Sequence, residues 1–184
     1  MRTKSALIAA AVIAVTLTTA AAASAQGLRG IELGSSLVNL TIVKPAGGSR
    51  TETLFGVPTG TFGIGTPGVY ATLFANENIG IEPQLTLFVA SGAGGTSHVV
   101  NFAGQIDYFT NGISESSPFV FASIGIVDIS GSSTHPKMIG VGLGYRVVMG
   151  GRLAVRFDGR YNHITDNGGN MVVFTASIGG LFGR

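Results

Sequence analysis

The chain has 184 residues, of which 45% are hydrophobic and only 11% charged, with 29 glycines and no cysteine. Eleven basic residues against nine acidic ones are too small a surplus for a nucleic-acid surface, and a chain without cysteine holds no disulfide framework. No segment beyond the N-terminus reads as a transmembrane helix, because the charge-free run Thr53 to Asn76 carries Gly56, Gly60, Gly63, Gly65, Gly68, Pro58 and Pro67.

Residues 1–25 have the three parts of a secretory signal peptide. Met1 to Lys4 is a basic head, Ala6 to Thr19 an apolar body, and Ala23-Ser24-Ala25 a small-x-small cleavage site before Gln26. Removing Arg2 and Lys4 leaves nine basic residues against nine acidic ones, so the basic balance belongs to the leader. Residues 26–184 are expected to form a single domain.

The mature chain reads as eight strands. The first, Gly30 to Ile42, sets Glu32, Gly34 and Ser36 against Ile31, Leu33 and Leu37. A long loop opens at Lys44 and runs to Pro67, within which Thr51 to Val57 reads as an extension of one strand beyond the membrane. The second strand is Gly68 to Ala75, and Asn76-Glu77-Asn78 is a short turn. The third, Ile79 to Val89, points Ile81, Leu85, Leu87 and Val89 outward and Glu82, Gln84 and Thr86 inward; Ser91 to Ser97 reads as a flexible loop. The fourth, Val99 to Phe109, opposes Val100, Phe102, Ile106 and Tyr108 to Asn101, Gln105 and Asp107.

Asn111 to Pro118 turns the chain into the fifth strand, Phe119 to Ile129, whose parity is ambiguous because Asp128 shares a face with Val120, Ile124 and Ile126. Two accounts stay open for it, a bulge or a position for Asp128 past the hydrocarbon. Gly131 to Lys137 is a loop. The sixth strand, Met138 to Val148, alternates Ile139, Val141, Leu143, Tyr145 and Val147 outward with Gly140, Gly142, Gly144 and Arg146 inward. After the tight turn Gly150-Gly-Arg152 comes the clearest stretch of the chain, Leu153 to His163. Leu153, Val155, Phe157 and Tyr161 point one way and Arg156, Asp158, Arg160 and Asn162 the other. Thr165 to Asn170 is a loop, and Met171 to Phe182 is the eighth strand, with Val172, Phe174, Ala176, Ile178 and Phe182 outward.

Lipid admits only helices and closed barrels. An exported, apolar, helix-poor chain with about ten-residue alternating segments is therefore expected to be an all-β, eight-stranded antiparallel up-and-down transmembrane β-barrel. An even strand count lets the first strand pair with the last, and eight strands enclose only enough space for side chains. The inward charges, Glu32, Glu82, Asp107 and Asp158 against Arg146, Arg156 and Arg160, then read as a salt-bridge network inside the lumen. A soluble lipocalin-like lipid carrier in the periplasm needs the reverse polarity, with an apolar interior and a polar exterior.

Val141-Gly-Leu-Gly-Tyr-Arg146, Leu153-Ala-Val-Arg-Phe-Asp-Gly-Arg-Tyr161 and Ala176-Ser-Ile-Gly-Gly-Leu-Phe182 resemble the small eight-stranded outer-membrane β-barrel family of the OmpA/OmpX type, and the resemblance extends over essentially the whole mature chain. It implies a bacterial outer-membrane location, short periplasmic turns, longer outer loops and delivery by the barrel-assembly machinery. Family members usually end on an aromatic residue, whereas here Gly183 and Arg184 follow Phe182.

Chemical motifs are sparse and each has a plainer structural reading. Gly63-Ile-Gly-Thr-Pro-Gly68 matches a dinucleotide fingerprint without its strand–turn–helix context, and Gly92-Ala-Gly-Gly-Thr-Ser97 lacks the lysine of a phosphate loop. The alternating Gly140, Gly142 and Gly144 read as lumen positions that make room for larger neighbours. His98, His135 and His163 fall at one end of the barrel, where separate solvated residues are favoured over a shared metal or proton-sensing site. His163-Ile-Thr165 is similar to the His-x-Ser of lipid A deacylase barrels, but Thr165 stands at the nucleophile position and no acid follows at the expected distance. No catalytic, cofactor-binding or metal-ligating residue is assigned. The expectation is a monomeric, porin-like but side-chain-filled barrel with a structural or surface-interaction role and no enzymatic activity. Its expected partners are outer-membrane lipid and lipopolysaccharide, the assembly machinery, and a surface ligand met through Lys44 to Pro67.

Overall fold

The computed structural model describes residues 29–44, 47, 52–56, 68–92, 95–113, 115–129, 131, 135–165 and 169–183. The leader and the greater part of the Lys44 to Pro67 loop lie outside these residues, as does all but Gly68 of the Gly63 to Gly68 motif. Nine strands are described: β1 (Gly30–Lys44), β2 (Glu52–Gly56), β3 (Val69–Phe74), β4 (Ile79–Gly92), β5 (Gly95–Phe109), β6 (Ser117–Ile129), β7 (Lys137–Met149), β8 (Leu153–Ile164) and β9 (Asn170–Phe182). From β3 to β9 each strand pairs antiparallel with the next, and β1 pairs with both β3 and β9, which closes the sheet. β9 occupies one edge of β1 along its length, while β3 and β2 share the other, at Gly30 to Ser35 and Asn39 to Val43. β2 thus continues the position of β3 towards the loop end, as an extension of that strand, and the barrel has eight staves.

Side-chain direction obeys the alternation of the sequence and inverts the polarity of a soluble protein. Ile81, Ile106, Val120, Ile124, Val141, Leu143 and Phe157 are exposed on the outside, whereas Glu32, Glu82, Asp107, Arg146, Arg156, Asp158 and Arg160 are buried inside. A carrier of apolar ligands needs the reverse arrangement. An outer wall of aliphatic and aromatic groups over a sheet with no open edge is stable against hydrocarbon, where water cannot satisfy stray backbone groups. The protein is a transmembrane β-barrel.

Three details refine the sequence reading. Pairing of β1 with β9 slips between Ser36 and Val38, so Leu37 and Val38 both face outward and the inward set changes from Glu32 and Ser36 to Asn39 and Thr41. β6 keeps unbroken register with β5 and β7, so Asp128 needs no bulge; it lies at the loop end of the strand, beside His135. The expected flexible loop Ser91 to Ser97 is instead mostly strand: β4 runs to Gly92, β5 starts at Gly95, and these two residues pair. Strands of 14 and 15 residues exceed the roughly 9–11 that cross hydrocarbon at a tilt, so this hairpin rises past the membrane boundary.

The connections at the other end are short. Asn76 Oδ1 accepts from the backbone N–H groups of Asn78 and Ile79, both at 2.8 Å, which fixes the β3–β4 turn. Gly150 and Gly151, with φ of 57° and 70°, make the β7–β8 turn in a region that disfavours side chains. Residues 110–116 do more than turn the chain. Ile113 is buried with Phe74, Phe109, Phe119, Phe121 and Leu181, an apolar cluster that starts at this end of the lumen. A second apolar cluster of Val127, Met138, Met171 and Val173 lies towards the loop end.

Candidate functional site: the lumen network

Beside these apolar clusters the lumen holds charge. Alternation aims Glu32 inward from β1, Tyr70 and Thr72 from β3, Glu82 and Gln84 from β4, and Gln105 and Asp107 from β5. Arg146 comes from β7 and Arg156, Asp158 and Arg160 from β8, so the acids of β1, β4 and β5 face cations from across the barrel.

Arg156 is the hub. Its Nη1 pairs with Glu82 Oε2 and lies 3.8 Å from Glu32 Oε1, while Nη2 lies 3.9 Å from Asp107 Oδ1. Arg146 Nη1 donates to Glu32 Oε2 at 3.3 Å, and its Nη2 donates to the carbonyl of Gly112 at 2.9 Å, tying the 110–116 turn to the network. Arg160 Nη2 pairs with Asp158 Oδ1 at 3.2 Å, and Arg160 Nη1 reaches Gln84 Oε1 at 3.3 Å. Gln84 Nε2 donates to Glu82 at 2.6 Å and to Gln105 Oε1 at 2.8 Å, and Gln105 in turn donates to Asp107 at 2.6 Å. All seven charged residues expected in the lumen therefore belong to one connected set. The hydroxyls of Thr72 and Tyr70 complete it by donating to Glu82 and, at 3.0 Å, to Glu32.

The sequence reading missed the aromatic half of this site. Phe74, Phe109, Phe119 and Phe121 form a ladder with ring centroids 5.5, 5.2 and 5.9 Å apart. The guanidinium groups lie over it, Arg146 at 4.5 Å from the Phe109 centroid, Arg156 at 4.7 Å from Phe119 and Arg160 at 4.9 Å from Phe121. Contact with ring faces suits a planar, weakly hydrated cation in a confined space. The sequence carried a signal for it in the glycine alternation of β7. Phe119 faces Gly144 and Phe121 faces Gly142 across the β6–β7 pair, and a Cβ at either glycine would overlap the ring opposite. The expected role of these glycines, making room for larger neighbours, is what the packing requires.

Chemically, the network fills space and holds ions in fixed geometry. Each guanidinium is engaged by carboxylate, amide or ring. Such a lumen is unsuited to a wide aqueous pore.

At the loop end His135 and His163 have separate partners. His135 Nδ1 lies 3.1 Å from Asp128 Oδ1, His163 Nδ1 lies 2.9 Å from Asn170 Oδ1, and the side chain of His98 is outside the described residues. Among the described residues no three His, Cys, Asp or Glu side chains are grouped to hold a metal. Thr165 Oγ1 donates to the carbonyl of Lys137 at 3.4 Å, so His163 and Thr165 each have a partner other than the other.

No family model matches the chain, and no curated protein matches it either. Among solved structures, the Neisserial surface protein NspA is similar over 85% of this chain and 100% of its own, at 14% identity and a TM-score of 0.60. The outer membrane protein OprG from Pseudomonas aeruginosa is similar over 84% of this chain and 97% of its own, at 12% identity and a TM-score of 0.50. The fold is that of the small eight-stranded outer-membrane β-barrels.

Proposed function

We propose that the chain is an integral protein of the bacterial outer membrane with a structural and surface-interaction role and without catalysis. One observation carries this reading: the same strands that expose Leu33, Ile81, Ile106, Leu143 and Phe157 bury a connected set of seven ions. Only a molecule whose surroundings are hydrocarbon is ordered this way. With both ends of the barrel sheet at the short-turn side, the opposite end carries the longer segments, including Lys44 to Pro67 and the raised β4–β5 hairpin. Those segments are the surface for a host molecule, a neighbouring cell or lipopolysaccharide, because exposed loops on a rigid scaffold can change sequence without disturbing the barrel. The barrel acts as a monomer and reaches its membrane through the barrel-assembly machinery, after removal of residues 1–25.

Cell fractionation tests the reading. Recovery in the outer membrane, a mature N-terminus at Gln26 and slower gel migration after heating are expected; recovery in the soluble periplasm would overturn it. Planar bilayers test the filled lumen, for which little or no steady conductance is expected and large stable single-channel steps would refute it. Replacing residues 45–51, which join β1 to β2, by a short turn, with folding checked by heat-dependent migration, is expected to lower surface binding by whole cells.

A further inference from the structure

The outer wall is not uniform. On the β8–β9 pair Phe157 faces Ala176 and Gly159 faces Phe174, so two rings and two small residues alternate diagonally. The Phe174 ring lies over Gly159, and beside it Ala176 leaves an open groove of about 690 Å³ bounded by Leu40 of β1 and Leu143 of β7.

Nearer the loop end of the same wall the outward groups become polar. Lys44 of β1 and His163 of β8 both pair across the sheet with Asn170 of β9. Asn170 Oδ1 accepts from the Tyr161 hydroxyl at 2.7 Å and lies 2.9 Å from His163 Nδ1, which leaves Nε2 of that ring for a ligand. Lys44 and His163 are exposed, and among the described residues of β1, β7, β8 and β9 the only carboxylates, Glu32 and Asp158, are buried in the lumen. Cationic and polar groups therefore stand above an apolar groove with no described acid on that face. Leu40 and Lys44 are four residues apart, about 13 Å along a strand, close to half of a hydrocarbon core of about 30 Å.

We infer that this wall binds one phosphorylated amphiphile of the loop-side leaflet, with its phosphate against Lys44 and the His163–Asn170 pair and a saturated chain lying over Ala176 between the Phe157 and Phe174 rings. The inference rests on the membrane reading above and adds to it a lipid class and a place. The charge complementarity favours an anionic headgroup over a zwitterionic one, and the groove favours a chain over a free phosphate.

Native mass spectrometry of the barrel in mild detergent tests it, with bis-phosphorylated lipid A, phosphatidylethanolamine and inorganic phosphate as probes. One retained lipid A per barrel is expected, with phosphatidylethanolamine lost at the same activation energy and inorganic phosphate failing to displace lipid A. Lys44→Gln should weaken retention roughly five-fold, the effect of one interfacial cation. Ala176→Leu, which fills the groove, should weaken it comparably, whereas Ile106→Phe on the far wall should leave it unchanged. Equal retention of phosphatidylethanolamine, displacement by inorganic phosphate, or lipid A binding that neither Lys44→Gln nor Ala176→Leu alters would overturn the site. Heat-dependent gel migration separates the two readings: a barrel that migrates as folded but ignores lipid A counts against this site alone, and one that never enters membranes counts against the membrane reading.

Discussion

β8 and β6 obey the same alternation and solve the inside of the barrel in opposite ways. Both present apolar residues outward, Leu153, Phe157 and Tyr161 on β8 and Val120, Ile124 and Ile126 on β6. Inward, β8 supplies Arg156, Asp158, Arg160 and Asn162, whereas β6 supplies Phe119, Phe121 and Val127. Hydrocarbon is one solvent and selects one kind of side chain everywhere on the wall. The lumen has no solvent of its own, so each inward residue is selected by what faces it: a guanidinium by carboxylates and ring faces, a ring by glycine on the next strand.

The largest effect should come from breaking the β8 side of this comparison. Arg156→Leu leaves Glu82 without its cation, removes the cation beside Asp107 and leaves Glu32 only its pair with Arg146, so a loss of about 3–5 kcal/mol is expected. Denaturant unfolding in lipid vesicles measures it. Adding Glu82→Gln should recover part of the loss, because the neutral amide keeps hydrogen-bonding capacity without a stranded charge; no recovery would mean that packing, and not charge, is the cause.

Phe157→Arg, one residue away, acts on the opposite face. Phe157 is 54% exposed on the wall, and a guanidinium there meets hydrocarbon at a cost of about 2–4 kcal/mol near mid-membrane. Glu82→Gln should do nothing to relieve it. A neutral Phe157→Arg would mean that the polarity of the whole barrel has been assigned backwards.

On the β6 side the smaller, steric rule is tested by Gly144→Ala. Its Cβ has no room beside the Phe119 ring and the Phe157 carbonyl, and forcing a methyl into a packed interior costs about 1–3 kcal/mol. Phe119→Leu in the same chain should return part of that by vacating the ring position, as read by thermal gel-shift midpoints of single and double variants.

This contrast also sets what could be read from the sequence. Strand number, closure, the outward faces and the seven lumen ions were legible, because a single apolar parity recurs wherever lipid is the neighbour. Gly142 and Gly144 were legible as small lumen positions, but not the rings they admit, since Phe119 and Phe121 look the same inward as outward in a strand whose other face is also apolar. The shift at Leu37 and Val38 was hidden for the same reason, two apolar residues in succession being compatible with either register. The β4–β5 hairpin was mistaken for a loop because its Gly and Ser content mimics turn chemistry, while the pairing of Gly92 with Gly95 depends on the partner strand and not on local preference.

The smallest effect separates depth from parity on one strand. Asp128 shares its outward face with Ile124, yet its carboxylate lies 3.1 Å from His135 in a half-exposed contact at the loop end, while Ile124 is 63% exposed on the wall four residues deeper. If lipid reached Asp128, an ionised carboxylate there would be as unwelcome as one at Ile124, and Asp128→Leu would stabilise the barrel. Because water reaches it, Asp128→Leu should instead change stability by no more than about 1 kcal/mol, the worth of an exposed ion pair. Ile124→Asp should cost more, on the order of 1–3 kcal/mol, since an acid within the hydrocarbon is penalised, though less than an arginine. Both values come from the same vesicle unfolding experiment, repeated in bilayers of longer and shorter acyl chains. Thickening the bilayer should turn Asp128→Leu from neutral towards stabilising, as the boundary rises to meet it, and leave Ile124→Asp costly throughout. Equal costs for the two substitutions at every thickness would place both residues at one depth and remove the boundary from between them.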